Sequence, residues 1–278
     1  MSEVRAALIQ LRTPADQAAA FEQAAPLVRQ AAADGAQLIA TPEVTNLVQR
    51  NRALSLPAMK TAEEDPCVQG LIGLAAELKV WLLIGSAVVR REDGGVANRS
   101  FLIAPDGREV VTYDKMHMFD VDLPSGEKAR ESEAFVAGDA AVVADTPVGR
   151  IGLSICYDVR FAYLYRALAK AGAQILTVPA AFTRSTGEAH WEILLRARAI
   201  ETGAFVLAPA QGGLHEDGRG TWGHSMIIGP WGEVLARADG DAPGVIAATL
   251  DLDAVAKARQ AIPALKNERG FNGPFVGA

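Results

Sequence analysis

The sequence predicts an α/β fold in which helices cover both sides of the strands. Apolar strand patterns alternate with amphipathic helix patterns along most of the chain, and strand–helix–strand units of this kind pair their strands in parallel. Consecutive hairpins within residues 81–113 add antiparallel strands. Because no low-complexity linker and no short repeat interrupts these elements, residues 1–278 are expected to form a single domain.

The first unit is a strand, a helix and a second strand. The pattern predicts a strand over residues 4–11, an Ala-rich helix over 14–34 that Gly35 ends, and a strand over 37–41. Glu43 follows at the carboxyl end of this second strand. Ligands of open α/β sheets collect at such ends, whereas a glutamate on its own would more often be a solvated loop residue.

The next segment is predicted to contain a helix and three strands. The helix covers residues 61–79, and the strands cover 81–90, 99–104 and 109–113. Lys115 follows the last of these strands directly. A loop lysine is as often a plain surface charge as a functional residue.

Residues 120–138 show no periodicity, and a loop of this length inside a domain is usually functional or mobile. Alternating elements then continue, and the last 17 residues, 262–278, contain too little apolar pattern to fold alone. This tail is therefore expected to pack on a second subunit. The predicted elements are strands at 141–145, 149–155, 174–179, 205–209, 224–229, 234–237 and 245–250, and helices at 158–171, 188–201 and 252–260.

Cys156 lies on the turn between a predicted strand and the predicted helix at 158–171. The N-terminus of a helix favours the thiolate, which makes the cysteine a better nucleophile, although a buried structural cysteine is the alternative. Glu43, Lys115 and Cys156 each follow a buried strand. Since neighbouring parallel strands end at one rim of a sheet, the three residues are expected to converge and to support acyl transfer.

Composition excludes several partners. A formal net charge of −6 argues against nucleic acid or an anionic membrane surface, and the longest apolar runs are too short to span a bilayer. The two cysteines, Cys67 and Cys156, and a start without a signal pattern predict a reduced, cytoplasmic protein without disulfides. The expected partners are a small molecule, water and a second copy of the chain.

Other functional motifs fail on spacing. The four histidines form no His-x-x-x-His pair and there is no Cys-x-x-Cys, so neither a zinc site nor any other metal site is predicted. Residues 239–250 begin like a calcium loop but lack its final glutamate. No nucleotide-binding motif is present, so no cofactor is predicted. A cysteine–histidine pair using Cys156 remains open as a rival.

Four ordered motifs together resemble the carbon–nitrogen hydrolases of the nitrilase superfamily over nearly the whole chain. The resemblance implies a catalytic set of Glu43, Lys115 and Cys156, with Glu131 as a second glutamate. It also implies a four-layer α-β-β-α sandwich that dimerises into an α-β-β-α-α-β-β-α arrangement. The motifs are Thr41-Pro-Glu43, Tyr113 through Asp120, Glu131-Ser132 with Gly138, and Gly152 through Phe161.

The same resemblance assigns roles. Glu43 is expected to act as general base and acid, Lys115 and the backbone N–H of Tyr157 to hold the oxyanion, and Glu131 to orient Lys115 or the base. Substrate binding is assigned to Arg160, Phe182 and Thr183. Arg160 is a candidate clamp for a carboxylate, with an ion pair to Asp158 as its alternative.

Residues 156–161 resemble amidases that act on the terminal amide of 2-oxo acids. Motifs within residues 186–201, 210–215 and 223–232 are most similar to the branch that hydrolyses deaminated glutathione. The ω-amidases of 2-oxoglutaramate and 2-oxosuccinamate are the competing branch. An inactive binding or scaffold protein with the same fold is the alternative from another class. Segments 125–133 and 211–220 are expected to wall an extended pocket. They supply four candidate contacts for a distal carboxylate: Lys128, Arg130, His215 and Arg219.

Overall fold

The computed structural model describes residues 3–124 and 126–274. Residue 125, where one predicted pocket wall begins, and residues 275–278 of the tail lie outside the described part. Its helices are α1 (Gln17–Ala33), α2 (Arg52–Ala58), α3 (Pro66–Leu78), α4 (Ala162–Lys170), α5 (Arg184–Thr202) and α6 (Asp253–Ala261). Its strands are β1 (Glu3–Gln10), β2 (Leu38–Ala40), β3 (Trp81–Arg90), β4 (Val96–Ile103), β5 (Glu109–Asp114), β6 (Asp120–Asp122), β7 (Lys128–Arg130), β8 (Val143–Thr146), β9 (Gly149–Gly152), β10 (Ile175–Thr177), β11 (Phe205–Ala208), β12 (Gly212–Leu214), β13 (Gly220–Trp222), β14 (Met226–Ile228), β15 (Val234–Arg237) and β16 (Gly244–Asp251).

Two six-stranded sheets contain most of the strands. The first has the order β16-β1-β2-β3-β4-β5 and the second the order β15-β14-β11-β10-β9-β8. Strands β1, β2 and β3 are parallel, while β3, β4 and β5 form the antiparallel hairpins that the sequence predicts. In the second sheet β9, β10 and β11 are parallel.

The sheets lie face to face between two helix layers, and strand β1 shows why. Val4, Ala6 and Leu8 belong to the cluster shared with the second sheet, whereas Ala7 and Ile9 belong to the cluster with α1 and α3. Successive side chains of a strand point to opposite faces, so one strand contributes to two cores. Helices α4 and α5 cover the outer face of the second sheet. The predicted α-β-β-α sandwich is confirmed.

The helix predicted over residues 61–79 begins later, at Pro66. The buried Asp65 carboxylate accepts the N–H groups of Cys67 and Val68, which caps the helix, and proline at the first helical position has no N–H to satisfy. The short helix α2 was not predicted. It is capped by the Asn51 side chain, which accepts the N–H of Ala53 at 3.1 Å.

Two segments without periodicity form small hairpins. The strands β6 and β7 pair within the predicted loop at 120–138, and β12 pairs with β13 across residues 212–222. Three-residue strands are too short to produce a readable alternation pattern. Both hairpins lie at the carboxyl ends of sheet strands and contribute residues to the candidate site.

The first part of the C-terminal tail packs against helix α4 of the same chain. Glu268 forms ion pairs with Arg166 and Lys170 of α4, at 3.1 and 2.6 Å. Residues 269–274 are exposed, including the side chain of Phe271. In the described part of the chain, no helix has the length and apolar character to cross a membrane.

Candidate active site

Glu43, Lys115 and Cys156 come together, as predicted, but from two sheets rather than from one rim. Glu43 follows β2 and Lys115 follows β5, both in the first sheet, whereas Cys156 follows β9 in the second. Strand β5 runs in the same direction as β2 because two antiparallel pairings separate it from β3. The site is therefore built where the ends of the two facing sheets meet.

The Lys115 ammonium lies between two glutamates. Its Nζ is 2.9 Å from Oε1 of Glu43, and it is 2.9 and 2.8 Å from the two carboxylate oxygens of Glu131. The Lys115 side chain is only 2% exposed. Burial lowers the pKa of Lys115, but the charges of Glu131 and Glu43 outweigh burial and raise it well above its ordinary value. The ammonium is therefore charged at neutral pH.

Glu43 is buried and ionised. Its Oε1 also accepts a hydrogen bond from Nδ2 of Asn98 at 2.9 Å, and its Oε2 accepts the backbone N–H of Ala181 at 2.8 Å. Burial raises the pKa of this carboxyl, but the charge of Lys115 and the hydrogen bonds that Glu43 receives lower it below its ordinary value. At neutral pH Glu43 is a carboxylate that can accept a proton.

Cys156 is the third member of the group, and its thiol lies beside the Glu43 carboxylate, close enough for each group to shift the pKa of the other. Its backbone is left-handed, with φ of +51°, and its N–H donates to the carbonyl of Pro179 at 2.9 Å. A non-glycine residue with positive φ is uncommon, and such strain is retained where the surroundings hold the residue in place. Cys156 thereby lines the cleft beside Glu43 and Lys115.

The expectation of a thiolate at a helix N-terminus is wrong for Cys156. The helix predicted over 158–171 is instead a short 3₁₀ turn, Cys156–Arg160, followed by α4, which starts at Ala162. Burial and the negative charge of Glu43 raise the pKa of Cys156 well above its ordinary value, and the opposing charge of Lys115 does not compensate. The resting residue is a thiol.

Glu131 is held from two sides. Its Oε2 accepts the backbone N–H of Phe119 at 2.6 Å, and its Oε1 lies 3.4 Å from Nδ2 of Asn98. The chain after Glu131 returns to the Lys115 strand end, where the N–H of Gly138 donates to the carbonyl of Lys115 at 2.9 Å. A Cβ at position 138 would lie 2.2 Å from the carbonyl oxygen of Asp114, so only glycine fits there.

Two polar residues of the site were not identified from the sequence. Asn98 donates to both glutamates, and its carbonyl accepts the N–H of Lys115 at 2.9 Å. Its own Oδ1 has no hydrogen-bond partner among the described residues. A buried asparagine within the apolar pattern of β4 was the available signal, since buried polar groups are retained for a reason.

Asp158 is the other residue that was missed as part of the site. Its fully buried carboxylate accepts hydrogen bonds from the N–H of Ile155 at 2.8 Å and from the hydroxyl of Tyr113 at 2.7 Å. It also accepts the N–H of His117 at 3.1 Å and lies 2.6 Å from Nδ1 of that ring. Asp158 therefore ties the turn that carries Cys156 to the strand end that carries Lys115.

A cleft of about 710 Å³ opens over these residues. Cys156, Tyr157, Phe182 and Thr183 all line it, so three of the residues assigned to the substrate or the oxyanion lie beside the thiol. Arg160 is not among the described lining residues. Its guanidinium lies 5.8 and 5.5 Å from the ring centroids of Tyr157 and Phe182, and 3.3 Å from Nδ1 of His190. It does not pair with Asp158.

The rest of the cleft is strongly cationic. Apart from Glu43, Lys115 and Glu131, Glu127 is the one acidic side chain among the described lining residues. His215, predicted as a cleft contact, is instead buried, with its ring nitrogens near the carbonyl of Thr13 and the hydroxyl of Thr221. Its buried position in the β12–β13 hairpin explains that correction. Six cationic side chains line the cleft: Arg50, Arg52, Lys128, Arg130, Arg184 and Arg219.

No group of three or more His, Cys, Asp and Glu side chains placed to hold a metal ion occurs among the described residues. A thiol with a carboxylate beside it defines the class of hydrolases that act through a covalent thioester.

The comparisons with known proteins agree with that class. The carbon–nitrogen hydrolase family model matches residues 5–260. A deaminated glutathione amidase from Synechocystis sp. is 40% identical over 273 residues, which cover 96% of this chain and 98% of the relative. An omega-amidase from Xenopus tropicalis is 35% identical over 269 residues, covering 97% and 96%. The crystal structure of the C. elegans NitFhit protein has a TM-score of 0.88 at 34% identity, covering 96% of this chain and 65% of that chain.

The chain belongs to the carbon–nitrogen hydrolase family. It is an amidase, and the predicted resemblance to the nitrilase superfamily is confirmed.

Proposed function

We propose that Cys156 is the nucleophile of this amidase and that Glu43 is its general base and acid. The observation that carries this proposal is the position of the Glu43 carboxylate, which is hydrogen-bonded to the Lys115 ammonium and lies beside the Cys156 thiol in the same cleft. A resting thiol needs a base within reach before it can attack. No histidine is among the described residues that line the cleft, which disfavours the cysteine–histidine rival.

In the first half of the reaction, Glu43 takes the proton of the Cys156 thiol as the sulfur attacks the amide carbonyl carbon. A C–S bond forms and the carbonyl oxygen becomes an oxyanion. Lys115 and the N–H of Tyr157 donate to that oxygen; the Tyr157 amide belongs to the start of the 3₁₀ turn Cys156–Arg160, where N–H groups lack partners within the turn. Protonated Glu43 then gives its proton to the leaving nitrogen, and the C–N bond breaks.

In the second half, water hydrolyses the thioester. Glu43 takes a proton from the water as its oxygen attacks the same carbon, the C–S bond breaks, and the sulfur recovers the proton. Glu131 does not reach the carbon in this scheme. Its two contacts with Lys115 hold the ammonium in place and balance its charge.

We propose deaminated glutathione as the substrate. This molecule carries a carboxylate at each end, one on the 2-oxo acid and one on the terminal glycine, and the cationic lining of the cleft suits such an anion. The net charge of the chain is −6, so the cationic cleft is a local feature of this site. Relatives named for this substrate support the proposal, and those named omega-amidase carry the alternative, 2-oxoglutaramate.

Side-by-side kinetics on the two amides tests this choice. We expect kcat/KM for deaminated glutathione to exceed that for 2-oxoglutaramate by about tenfold or more, because a charge-assisted contact supplies about 1.4 kcal/mol. Equal or reversed preference would move the protein to the omega-amidase function. If no 2-oxo acid amide is hydrolysed while small ligands still bind, the inactive-protein alternative stands.

A homodimer is the assembly we propose. The apolar spacing of Phe161, Leu164 and Leu168 would by itself suggest a contact face, but Leu164 and Leu168 are buried in their own chain. The exposed apolar side chains near α4, α5 and the tail are the better candidates: Tyr163, Ile193, Ile200, Trp231 and Ile262. A light-scattering mass of 29.3 kDa at micromolar concentration would show a monomer instead.

We further propose that the protein works in the cytoplasm, where both of its cysteines stay reduced. Its two free thiols, both buried, support this location.

A further inference from the structure

The six cations of the cleft differ in what already neutralises them. Arg52 pairs with Glu133, and Arg184 pairs with Asp241 at 2.7 Å. Lys128 and Arg130 both face Asp122, at 3.6 and 2.7 Å. These four cations are paired with carboxylates of the protein and hold the cleft walls together.

Arg50 is the exception, and Arg219 is the most loosely paired of the other five cations. Within residues 3–124 and 126–274, the guanidinium of Arg50 has no ion pair and no hydrogen bond, although it lines the cleft. The Nε of Arg219 forms an ion pair with Oδ2 of Asp217 at 3.9 Å, the longest of the ion pairs that these cations make. Two cations at one cleft thus retain donors for a ligand.

Asp217 positions the backbones of both Arg50 and Arg219. Its side chain is only 1% exposed, and its two oxygens accept backbone N–H groups: Oδ2 that of Arg50 at 2.9 Å and Oδ1 that of Arg219 at 2.8 Å. One buried carboxylate therefore joins the segment before α2 to the β12–β13 hairpin. Since the carboxylate is engaged by backbone groups, it sets the position of the arginines without forming a close pair with either guanidinium.

Gly218 allows the Arg50 guanidinium to lie close to the turn at residues 217–219. Its φ is +80°, and a Cβ there would lie 3.1 Å from a terminal nitrogen of Arg50. The turn residue between Asp217 and Arg219 thus leaves room for the Arg50 guanidinium beside the Arg219 backbone. Guanidinium groups bind carboxylates with paired hydrogen bonds, and two of them on backbones joined by one carboxylate can serve one anionic group.

We infer that Arg50 and Arg219 form a subsite for the distal carboxylate of the substrate, the carboxylate of the leaving group. This inference rests on the proposed function, because 2-oxoglutaramate has no such group. The subsite would make the enzyme prefer an amide whose leaving portion ends in a carboxylate over the same amide with a neutral end.

The test compares the wild-type enzyme with two variants on an acidic substrate and its neutral analogue. The substrates are deaminated glutathione and its C-terminal glycinamide analogue, and the variants are Arg50→Gln and Arg219→Gln. We expect each variant to lower kcat/KM for deaminated glutathione about tenfold, mainly through KM, and to leave the glycinamide analogue and 2-oxoglutaramate unchanged. Arg237→Gln is the matched control, because it removes the same charge from a residue outside the cleft that pairs with Glu192.

Each result has a defined meaning. Equal losses on the acid and its glycinamide, or no loss on either, would overturn the subsite while leaving the proposed function intact. A wild-type enzyme that hydrolyses neither tripeptide analogue would overturn both.

Discussion

The chain has two buried cysteines in different surroundings. Cys67 is the second residue of α3, fully buried between that helix and the first sheet, and its sulfur lies 3.8 Å from the carbonyl oxygen of Thr45. Cys156 is 7% exposed, lines the cleft and lies beside the Glu43 carboxylate. Burial raises the pKa of both thiols, with Asp65 adding to the effect at Cys67 and Glu43 at Cys156.

The difference shows what makes a cysteine a candidate nucleophile here. Cys67 is the one at the N-terminus of an α-helix, the setting usually taken to favour a thiolate, yet it faces neither a cleft nor a site with a cation. Cys156 lacks that helix but has an acceptor for its proton, and a cation lies beside that acceptor. A base within reach and access for a substrate distinguish the two residues, whereas the direction of the pKa shift does not.

Replacing Cys156 should have the largest effect. Cys156→Ala is expected to lower kcat by about four orders of magnitude or more, because no other group can form the thioester. Thermal unfolding should remain cooperative. Iodoacetamide labelling with peptide mapping checks the assignment in the wild type, and preferential modification of Cys67 with activity retained would contradict it.

Removing the cation comes next. Lys115→Met should lower kcat/KM about 10²- to 10³-fold, as loss of an oxyanion donor does. It should also lower the free energy of unfolding by about 3–5 kcal/mol, because two buried carboxylates would lose their partner. Lys128→Met is the stability control, since its pair with Asp122 is exposed and should contribute less than about 1 kcal/mol. Urea unfolding of both variants measures the difference.

Asn98→Ala tests how the base is kept ionised. Its hydrogen bond is one of the causes that lower the pKa of Glu43, so removing it should raise that pKa and move the acid limb of the kcat/KM profile to higher pH. Because the folded pKa of Glu43 lies below its ordinary value, the carboxylate stabilises the fold near neutrality and loses that contribution as pH falls. In the variant, the free energy of unfolding near neutrality should lose part of the contribution of the Glu43 carboxylate. The value of kcat/KM should fall about tenfold.

Ser100→Ala is the control for Asn98, because Ser100 lies on the same strand and bonds to the carbonyl of Gly85 rather than to a glutamate. A loss of stability without movement of the acid limb in Asn98→Ala would reduce Asn98 to a structural role.

Replacing Cys67 should have the smallest effect on activity. Cys67→Ala is expected to leave kcat/KM unchanged and to lower the free energy of unfolding by about 1 kcal/mol, as removal of one buried atom does. Kinetics together with urea unfolding measure both quantities. A large loss of kcat at unchanged stability would erase the contrast between the two cysteines.

Local pattern was enough to predict most of the elements and the residues at their ends. The strand at Trp81–Arg90 was predicted to the residue, and Glu43, Lys115 and Cys156 were each placed just past a strand. These features depend on the alternation of side chains along a short stretch and on motifs of a few residues. The alternation and the motifs each depend only on residues that are close together in the sequence, so they can be recognised without knowing the rest of the fold.

Only the tertiary structure decided how those strand ends meet. Lys115 and Glu43 are 72 residues apart in sequence and belong to one sheet, while Cys156 comes from the other. The contacts of Asn98 with both glutamates, the burial of His215 and the raised pKa of the Cys156 thiol all depend on that packing. The charge state of a buried group is set by the charges and donors that surround it in space, and the order of residues along the chain does not specify those neighbours.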